Sequence, residues 1–411
     1  MIRLVAVPHE SVPLDAEYST QFENIASSAP KPRQIGSATS DLANLDLLRS
    51  VAVGLVFLTH TMDAMKIRGL GDLGRFGVLL FFVHTSLVLM LSMERLGLSG
   101  VRLYTAFMVR RVFRIYPLSV LTIAVVVAFH IPFAPWFAGA SDGFIWPGWP
   151  GLFSDVLLTQ NITRSASVLC VLWSLPFEVQ MYAFLPVLYI LIRRFPSRRA
   201  ISVIWLGGTA VAGLEYIWRS NTNSDYLLLR YFPCFLAGVV AWRLMALQKR
   251  RVPGALWIAL LMALVIVYRL EDAFRVYGPN WQGLFHGSLR NDKGIWLPPS
   301  LDLFRDWAFC GIVGLAVPSF KEIKSLWLNT ITRRVAQYSY GVYLCHVPVI
   351  WVCFSLLHLG NVVTSAILSV LLTALVSFGL YHLIENPAIQ IGKHLSTRLG
   401  NAIALNVSTA S

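Results

Sequence analysis

Apolar blocks of roughly 17 to 24 residues recur along most of this 411-residue chain, close to the length that a membrane-spanning helix needs. A hydrocarbon core about 30 Å thick takes about 20 helical residues to cross. Only 13% of the residues are charged, against roughly 25% in a typical soluble domain. The pattern predicts an all-α polytopic membrane helix bundle. It excludes a soluble enzyme, a disulfide-stapled secreted domain and a disordered chain.

Ten apolar segments are predicted to cross the membrane. They are 45–64, 76–93, 116–138, 173–192, 201–217, 227–244, 254–269, 301–318, 336–357 and 361–384. Residues 1–44 are rich in Ser, Ala and Pro, which predicts a mobile cytoplasmic tail. Residues 391–411 are interpreted as a cytoplasmic C-terminal tail, so that 45–390 form the transmembrane domain. No internal repeat is visible, which disfavours an inverted-repeat transporter.

The charges of the loops alternate along the chain. The four loops predicted on the same side of the membrane as the N-terminus hold 17 Lys and Arg residues and two acidic residues. The four loops predicted on the opposite side hold nine Lys and Arg residues and seven acidic residues. Cytoplasmic loops of membrane proteins collect Lys and Arg, so ten crossings with both termini in the cytoplasm are predicted. The same rule explains the net charge of +13 without a nucleic-acid partner.

Ionisable side chains also fall inside the apolar segments, where each costs about 2.5–3.5 kcal/mol and needs a partner or a task. In the first segment, Arg49 and His60 are 11 residues apart, which places them about 20° apart on one helix face and about 16 Å apart in height. Asp63 neighbours His60 on the same helix surface and is a candidate to orient its ring. Alternatively, Arg49 snorkels to the surface and His60 is a hydrogen-bonded core residue.

Further polar positions follow in later segments. Arg111 and Arg114, spaced i, i+3 before the third segment, suit a phosphate clamp at the cytoplasmic surface, although cytoplasmic-loop charge is an alternative explanation. Glu178 is expected about one turn into the membrane, paired with Arg230 or a histidine. Tyr343 and His346 share a face of the ninth segment.

Two long outer loops, 139–172 and 269–300, are rich in Trp, Tyr, Asn, Gln and Gly. Such residues offer stacking faces and hydrogen bonds that suit a sugar, but aromatic anchors at the lipid headgroups would look the same. The five cysteines are scattered without a CxxC motif, so we interpret them as buried apolar residues rather than metal ligands or disulfide partners.

Six short motifs occur in order between residues 45 and 387. They are Arg49 and His60 with ten residues between them, GVLLFFV at 77–83, RxxR at Arg111 and Arg114, WSLPFEVQMY at 173–182, YSYGVYLCHVPV at 338–349 and ENP at 385–387. In this order they resemble the motifs of the acyltransferase 3 family, polytopic membrane enzymes that O-acylate envelope polysaccharides and related glycosides. Two departures are Met181 in place of a usual Phe, and HTSLVLM from His84 in place of a Ser-Gly-Phe turn.

The resemblance implies a multi-pass O-acyltransferase of the bacterial inner membrane. It would move an acyl group, expected to be acetyl, from cytoplasmic acyl-CoA to a hydroxyl of a glycan or lipid-linked glycan, with no permanently bound cofactor and no metal. His60 would be the general base or acyl carrier, oriented by Asp63 or Glu178. Arg49, Arg111 and Arg114 would serve the donor. The remaining candidates for substrate binding are His84, Tyr343 and His346.

Two rival functions use the same residues. Buried His, Glu and Arg side chains could form a proton relay in a transporter or flippase of a lipid-linked glycan. A non-catalytic envelope assembly factor is the third possibility. Transfer of label from acetyl-CoA to a glycan distinguishes an enzyme from both.

Overall fold

The computed structural model describes residues 42–67, 72–135, 143–195, 197–218, 228–247, 251–277, 302–357 and 359–410. Within these ranges the chain is helical, and its single strand-like feature is an isolated bridge between Val252 and Phe320. The all-α prediction is confirmed. The predicted N-terminal tail lies outside the described residues, apart from its last three positions.

Each of the ten predicted segments contains a helix, and three further α-helices occur among the described residues. In chain order the α-helices are α1 (Ala43–Ala64), α2 (Leu73–Leu96), α3 (Gly100–Ala128), α4 (Gly148–Leu157), α5 (Gln160–Thr163), α6 (Leu175–Arg194), α7 (Arg198–Trp218), α8 (Phe232–Leu247), α9 (Ala255–Tyr277), α10 (Asp302–Ala316), α11 (Leu326–Trp351), α12 (Val362–Leu380) and α13 (Asn386–Ala410). Short 3₁₀ helices occupy Cys170–Ser174, Leu228–Arg230 and Val317–Ser319. Two π-helical turns, Val352–Leu356 and Tyr381–Glu385, follow α11 and α12.

Six helical stretches of the described residues are long and apolar enough to cross a membrane. They are Ala43–Ala64, Leu73–Leu96, Gly100–Ala128, Cys170–Arg194, Leu326–Leu356 and Val362–Gly400. The chain is therefore a multi-pass membrane protein. The count of ten crossings and the cytoplasmic position of both termini stay predictions.

The third helix begins much earlier than its sequence pattern indicates. α3 starts at Gly100, so most of the predicted loop 94–115 is helical and Arg111 lies near the middle of a helix, not at its mouth. Residues 101–115 contain neither Gly nor Pro, and Arg is a good helix former. The hydropathy pattern predicted only the apolar part of this helix, because the arginines of its first half lower the mean hydropathy there.

The C-terminal residues continue the last helix. α13 follows α12 through the π-helical turn, and it packs against α3. The Nε of Arg110 donates to Ser396 Oγ at 2.8 Å, and Gly392 lies so close to Phe113 that a Cβ atom added there would come within 2.7 Å of the Phe113 Cβ. The first part of the predicted tail, from 391, is thus a packed helix.

The most buried of the six candidate spans is α2, which packs against α1 and α8. A Cβ atom on Gly77 would come within 2.5 Å of the Ala52 carbonyl oxygen, so only glycine permits this approach of α1 and α2. α11 packs against α1 on one side and α12 on the other. This arrangement brings α1, α2 and α11 together, and the candidate site lies between them.

A network of buried charges joins α2, α9 and α10. Asp306, 1% exposed, binds Arg75 Nη2 at 2.7 Å and accepts a hydrogen bond from Tyr268 Oη at 3.0 Å. Arg305 binds Glu271 at 2.7 Å, and its guanidinium carbon lies 4.4 Å from the centre of the Tyr268 ring. Arg305 and Asp306, which both lie within the predicted segment 301–318, therefore hold partners from two other helices. We call this set the Asp306 network.

Candidate active site

A cavity lies among α1, α2, α3, α6 and α11. Its polar lining comes from positions that are distant in sequence. These are Arg49, His84, Thr85, Arg111, Arg114, Ser174, Glu178, Tyr182, Ser339, Tyr340 and Tyr343. We call this space the arginine cavity, because three of its lining residues are arginines.

The three arginines come from two helices. Arg49 on α1 donates from Nε to Ser339 Oγ at 2.5 Å. Arg114 on α3 forms an ion pair with Glu385, whose side chain is fully buried. Arg111, one turn before Arg114, has its guanidinium carbon 5.8 Å from the centre of the Phe107 ring, and no protein group among the described residues accepts from its buried Nε. The predicted Arg111–Arg114 pair is thus brought together, but inside the bundle and joined by Arg49.

The carboxylate of the cavity is Glu178, in the first turn of α6. Its Oε2 accepts a hydrogen bond from Tyr182 Oη at 2.9 Å, one turn further along the same helix. The structure places Glu178 in one lining with Arg49, Arg111, Arg114 and His84, whereas Arg230, the partner that the sequence offered as the alternative to a histidine, is not in that lining. The lining carries three guanidinium groups against one carboxylate, or two when Glu385 is included, so its formal charge is positive.

His84 and Tyr343 contribute to the walls of the cavity. His84 is 3% exposed, and its Nδ1 has no hydrogen-bond partner among the described groups. Tyr343 Oη donates to the Val171 carbonyl at 2.7 Å and bonds Ser174 Oγ at 2.8 Å. These bonds tie α11 to the 3₁₀ helix that precedes Glu178. Both residues were predicted candidates for substrate binding, and both border the same space.

His60 and His346 form a separate pair between α1 and α11. Nδ1 of His60 lies 2.8 Å from Nε2 of His346, and the two ring planes differ by 6°. Neither histidine is among the residues that line the arginine cavity. Tyr343 connects the two places, since its ring centre lies 6.2 Å from that of His346. The structure places His346 against Nδ1 of His60, where the sequence suggested Asp63, which is half-buried near the end of α1.

The segment that leads to Glu178 is pinned by a buried carboxylate. Asp155 on α4 is fully buried, and its Oδ2 accepts a hydrogen bond from the Val168 amide at 2.8 Å. Burial raises the pKa of Asp155 to about 6, because the charged form loses solvation there. Part of the predicted outer loop 139–172 is helical, with α4 and α5 inside it. Most of the second predicted loop, 269–300, lies outside the described residues.

A family model described as an acyltransferase domain, that of acyltransferase 3, matches residues 42–382. This match covers most of the chain. The protein belongs to the acyltransferase 3 family. It is a multi-pass membrane acyltransferase. Searches of curated proteins and of solved structures found no match.

The motifs that resemble those of the acyltransferase 3 family meet in space. The second arginine of RxxR pairs with the glutamate of ENP, as Arg114 and Glu385. The glutamate of WSLPFEVQMY and three residues of the YSYG motif border the same cavity. The YSYGVYLCHVPV motif also supplies the partner of the first motif, through His346 and His60.

Sequence reasoning missed several residues of this acyltransferase's site. Ser339, Tyr182 and Glu385 were not among the candidate site residues, although each lies in one of the six motifs and contacts a residue that was a candidate. Helical spacing is a signal for two of them. Tyr182 follows Glu178 by four residues, and Ser339 precedes Tyr343 by four. Nothing local identifies Glu385 as the partner of Arg114, 271 positions away.

Proposed function

We propose that this acyltransferase moves an acyl group, expected to be acetyl, from acyl-CoA to a hydroxyl of a cell-envelope polysaccharide. The observation that carries the proposal is the gathering of Arg49, Arg111 and Arg114 in the lining of one cavity with a single carboxylate. Buried guanidiniums in excess of their counter-ions favour an anionic ligand. Coenzyme A is a suitable anion because it carries a diphosphate and a 3′-phosphate.

The donor would bind with its phosphates near the three arginines. Arg111 is the best placed to receive them, because its buried Nε donor has no protein acceptor among the described groups. Arg49 and Arg114 would add charge while staying held by Ser339 and Glu385. Glu178 would limit the positive charge when the cavity is empty. The extended pantetheine arm would then carry the thioester toward His60, about 16 Å further along α1.

The transfer itself needs a base and no oxidant or reductant. The acceptor hydroxyl oxygen would attack the thioester carbonyl carbon, and His60 would take the hydroxyl proton. The carbon–sulfur bond then breaks, and the proton passes to the departing sulfur to give free CoA. In the alternative route, His60 itself attacks the thioester and carries the acyl group before the hydroxyl takes it. Both routes require His60.

The acceptor is proposed to arrive from the side of the membrane opposite to CoA. We place the protein in the bacterial inner membrane with both termini in the cytoplasm and with residues 45–390 as the catalytic domain, on the basis of the loop charges. Cysteines introduced at 193–200 and at 269–300 should then react with an impermeant reagent from opposite sides. Reaction from the same side would contradict this arrangement.

The test of the function is ester formation from labelled acetyl-CoA on glycans of the source organism, in membranes that contain the protein. His60→Ala should reduce transfer at least about 100-fold, because general-base catalysis alone contributes 10²–10⁴-fold. Asp63→Asn should cost less, since that carboxylate does not bond Nδ1 of His60 and could act only through orientation.

The matched control is His394→Ala, which removes an exposed histidine from α13. It should leave transfer unchanged. If wild-type membranes move labelled glycan across the bilayer without forming an ester, the transporter interpretation replaces this one. If His60→Ala retains near-normal transfer, the histidine is a core residue and another base must be sought.

A further inference from the structure

The pairing of two buried histidines fixes which nitrogen of each ring carries a proton. Nδ1 of His346 lies 2.9 Å from the Val342 carbonyl oxygen, one turn earlier on α11. A carbonyl can only accept a hydrogen bond, so Nδ1 of His346 is the nitrogen that bears hydrogen. The other nitrogen of a neutral His346, Nε2, then carries a lone pair and can only accept.

The constraint passes from His346 to His60. Because Nε2 of His346 can only accept, Nδ1 of His60 must donate across the 2.8 Å that separate the two atoms. A cationic His346 would reverse this bond, but His346 is 0% exposed, and an uncompensated charge there is costly. The proton of neutral His60 therefore resides on Nδ1, and the lone pair resides on Nε2.

We propose that His346 is a positioning residue that holds His60 in the tautomer able to accept a proton at Nε2. The inference rests on the proposed role of His60 as base. It gives His346 a task different from the substrate binding that the sequence suggested. In the transfer step, the proton leaves the acceptor hydroxyl and arrives at Nε2 of His60, while the Nδ1–H bond to His346 stays in place.

The near-coplanar arrangement of the two rings supports the role of His346 as the residue that positions His60. The ring planes differ by 6°, the ring centres are 5.1 Å apart and the two nitrogens are 2.8 Å apart, so both nitrogens lie close to the line between the ring centres and the rings are nearly coplanar. The Phe57 ring packs nearby, with its centre 6.1 Å from that of His346. A partner that orients the ring and sets its tautomer is the usual companion of an active histidine. The two hydrogen bonds run in one direction, from Nδ1 of His60 to Nε2 of His346 and from Nδ1 of His346 to the Val342 carbonyl oxygen, so the proton position on both rings is set.

The test compares two replacements of His346. Gln offers a side-chain oxygen near the place of Nε2 and can accept from His60, whereas Leu has similar bulk and no acceptor. His346→Gln should retain most of the transfer rate. His346→Leu should lower kcat about 10- to 100-fold with little change in the KM for acetyl-CoA, as is typical when a partner that orients a functional histidine is lost.

The ¹⁵N spectrum of histidine-labelled protein in membranes provides the readout that a structural role would not change. For wild-type protein and for His346→Gln, the His60 signals, identified by their loss in His60→Asn, should show a protonated Nδ1 and an unprotonated Nε2. For His346→Leu, we expect both tautomers. A protonated Nε2 in the wild type, or equal spectra and equal kcat in Gln and Leu variants, would overturn the proposal.

This experiment separates the inference from the function on which it rests. The tautomer of His60 is visible in the wild-type spectrum whether or not His60 is catalytic, so failure of the base role leaves the tautomer result standing. If His346→Leu does not insert, the wild-type and Gln spectra still decide the assignment. Normal transfer by His60→Ala, by contrast, would remove the proposed role of His60 as base and not the hydrogen-bond geometry.

Discussion

Two regions of this protein bury arginines beside carboxylates, and they differ in what fills the space between the charges. In the Asp306 network, Arg75 and Arg305 bond directly to Asp306 and Glu271 from three helices. In the arginine cavity, three guanidiniums border an open space, and among the described residues no carboxylate forms an ion pair with Arg49 or Arg111.

The difference indicates what each region does. Charges that are paired inside a bundle join helices, and loss of one partner leaves another charge buried and unpaired. Charges that surround a space retain unsatisfied hydrogen-bonding capacity, which a ligand of opposite sign can use. We therefore assign the Asp306 network to stability and the arginine cavity to donor binding.

The largest expected difference between the two regions is in stability, and it is tested by removing one carboxylate from each. Asp306→Ala should destabilise the protein by about 3–5 kcal/mol, because Arg75 would remain buried without its partner. Glu178→Ala should cost only about 1 kcal/mol, because Glu178 faces a space that water can enter and Arg114 keeps Glu385. Thermal unfolding in detergent measures both. Equal losses would mean that the cavity arginines are structural too.

The next largest effect concerns Arg111. Arg111→Leu should raise the KM for acetyl-CoA roughly 10- to 100-fold, because a charge-assisted hydrogen bond contributes about 1.5–3 kcal/mol. Arg111→Lys should raise the KM for acetyl-CoA less than Arg111→Leu does, since Lys keeps the positive charge but lacks the planar guanidinium that binds phosphate through two hydrogen bonds. The control is Arg110→Leu, which removes the neighbouring arginine that bonds Ser396 on α13 and does not line the cavity. A similar KM in all four proteins would leave Arg111 without a role in donor binding.

The smallest expected effect is on the pH dependence of stability, through Asp155 in the segment before Glu178. The pKa of Asp155, raised to about 6 in the folded protein, exceeds that of the unfolded chain, so folding binds a proton and is favoured by acid. This contribution is complete below pH 4 and is lost as the pH rises through about 6. Lowering the pH from 7.5 to 5 should thus stabilise the wild type by about 1 kcal/mol more than Asp155→Asn. Parallel pH profiles of thermal unfolding would contradict a buried carboxyl at this position.

Sequence patterns predicted the helical segments better than their ends. Apolar blocks identify the part of a helix that lies in lipid, because only there must every side chain tolerate hydrocarbon. α3 and α13 extend beyond such blocks, and hydropathy has no signal for a helix that continues among arginines or small residues. Their packing on each other, as in the Arg110–Ser396 bond, depends on residues 286 positions apart.

In the candidate site, too, the sequence predicts pairs of residues that are close in sequence but not pairs that are far apart in sequence. Arg49 and His60 on one helix face, and Arg111 with Arg114, follow from helical periodicity alone. The pairs His60–His346 and Arg114–Glu385 do not, because they depend on the order and rotation of helices in the bundle. The motifs of the family indicated that these residues matter, and only the structure assigned each its partner.

The central claim, that the arginine cavity receives the phosphates of the donor, is tested most directly by equilibrium binding to the wild-type protein. Calorimetry in detergent would compare coenzyme A with pantetheine, which has the same arm and thiol but no phosphate. If the arginines hold the phosphates, coenzyme A binds at least about tenfold more tightly, a difference of about 1.4 kcal/mol. Equal affinities for the two compounds would contradict the account.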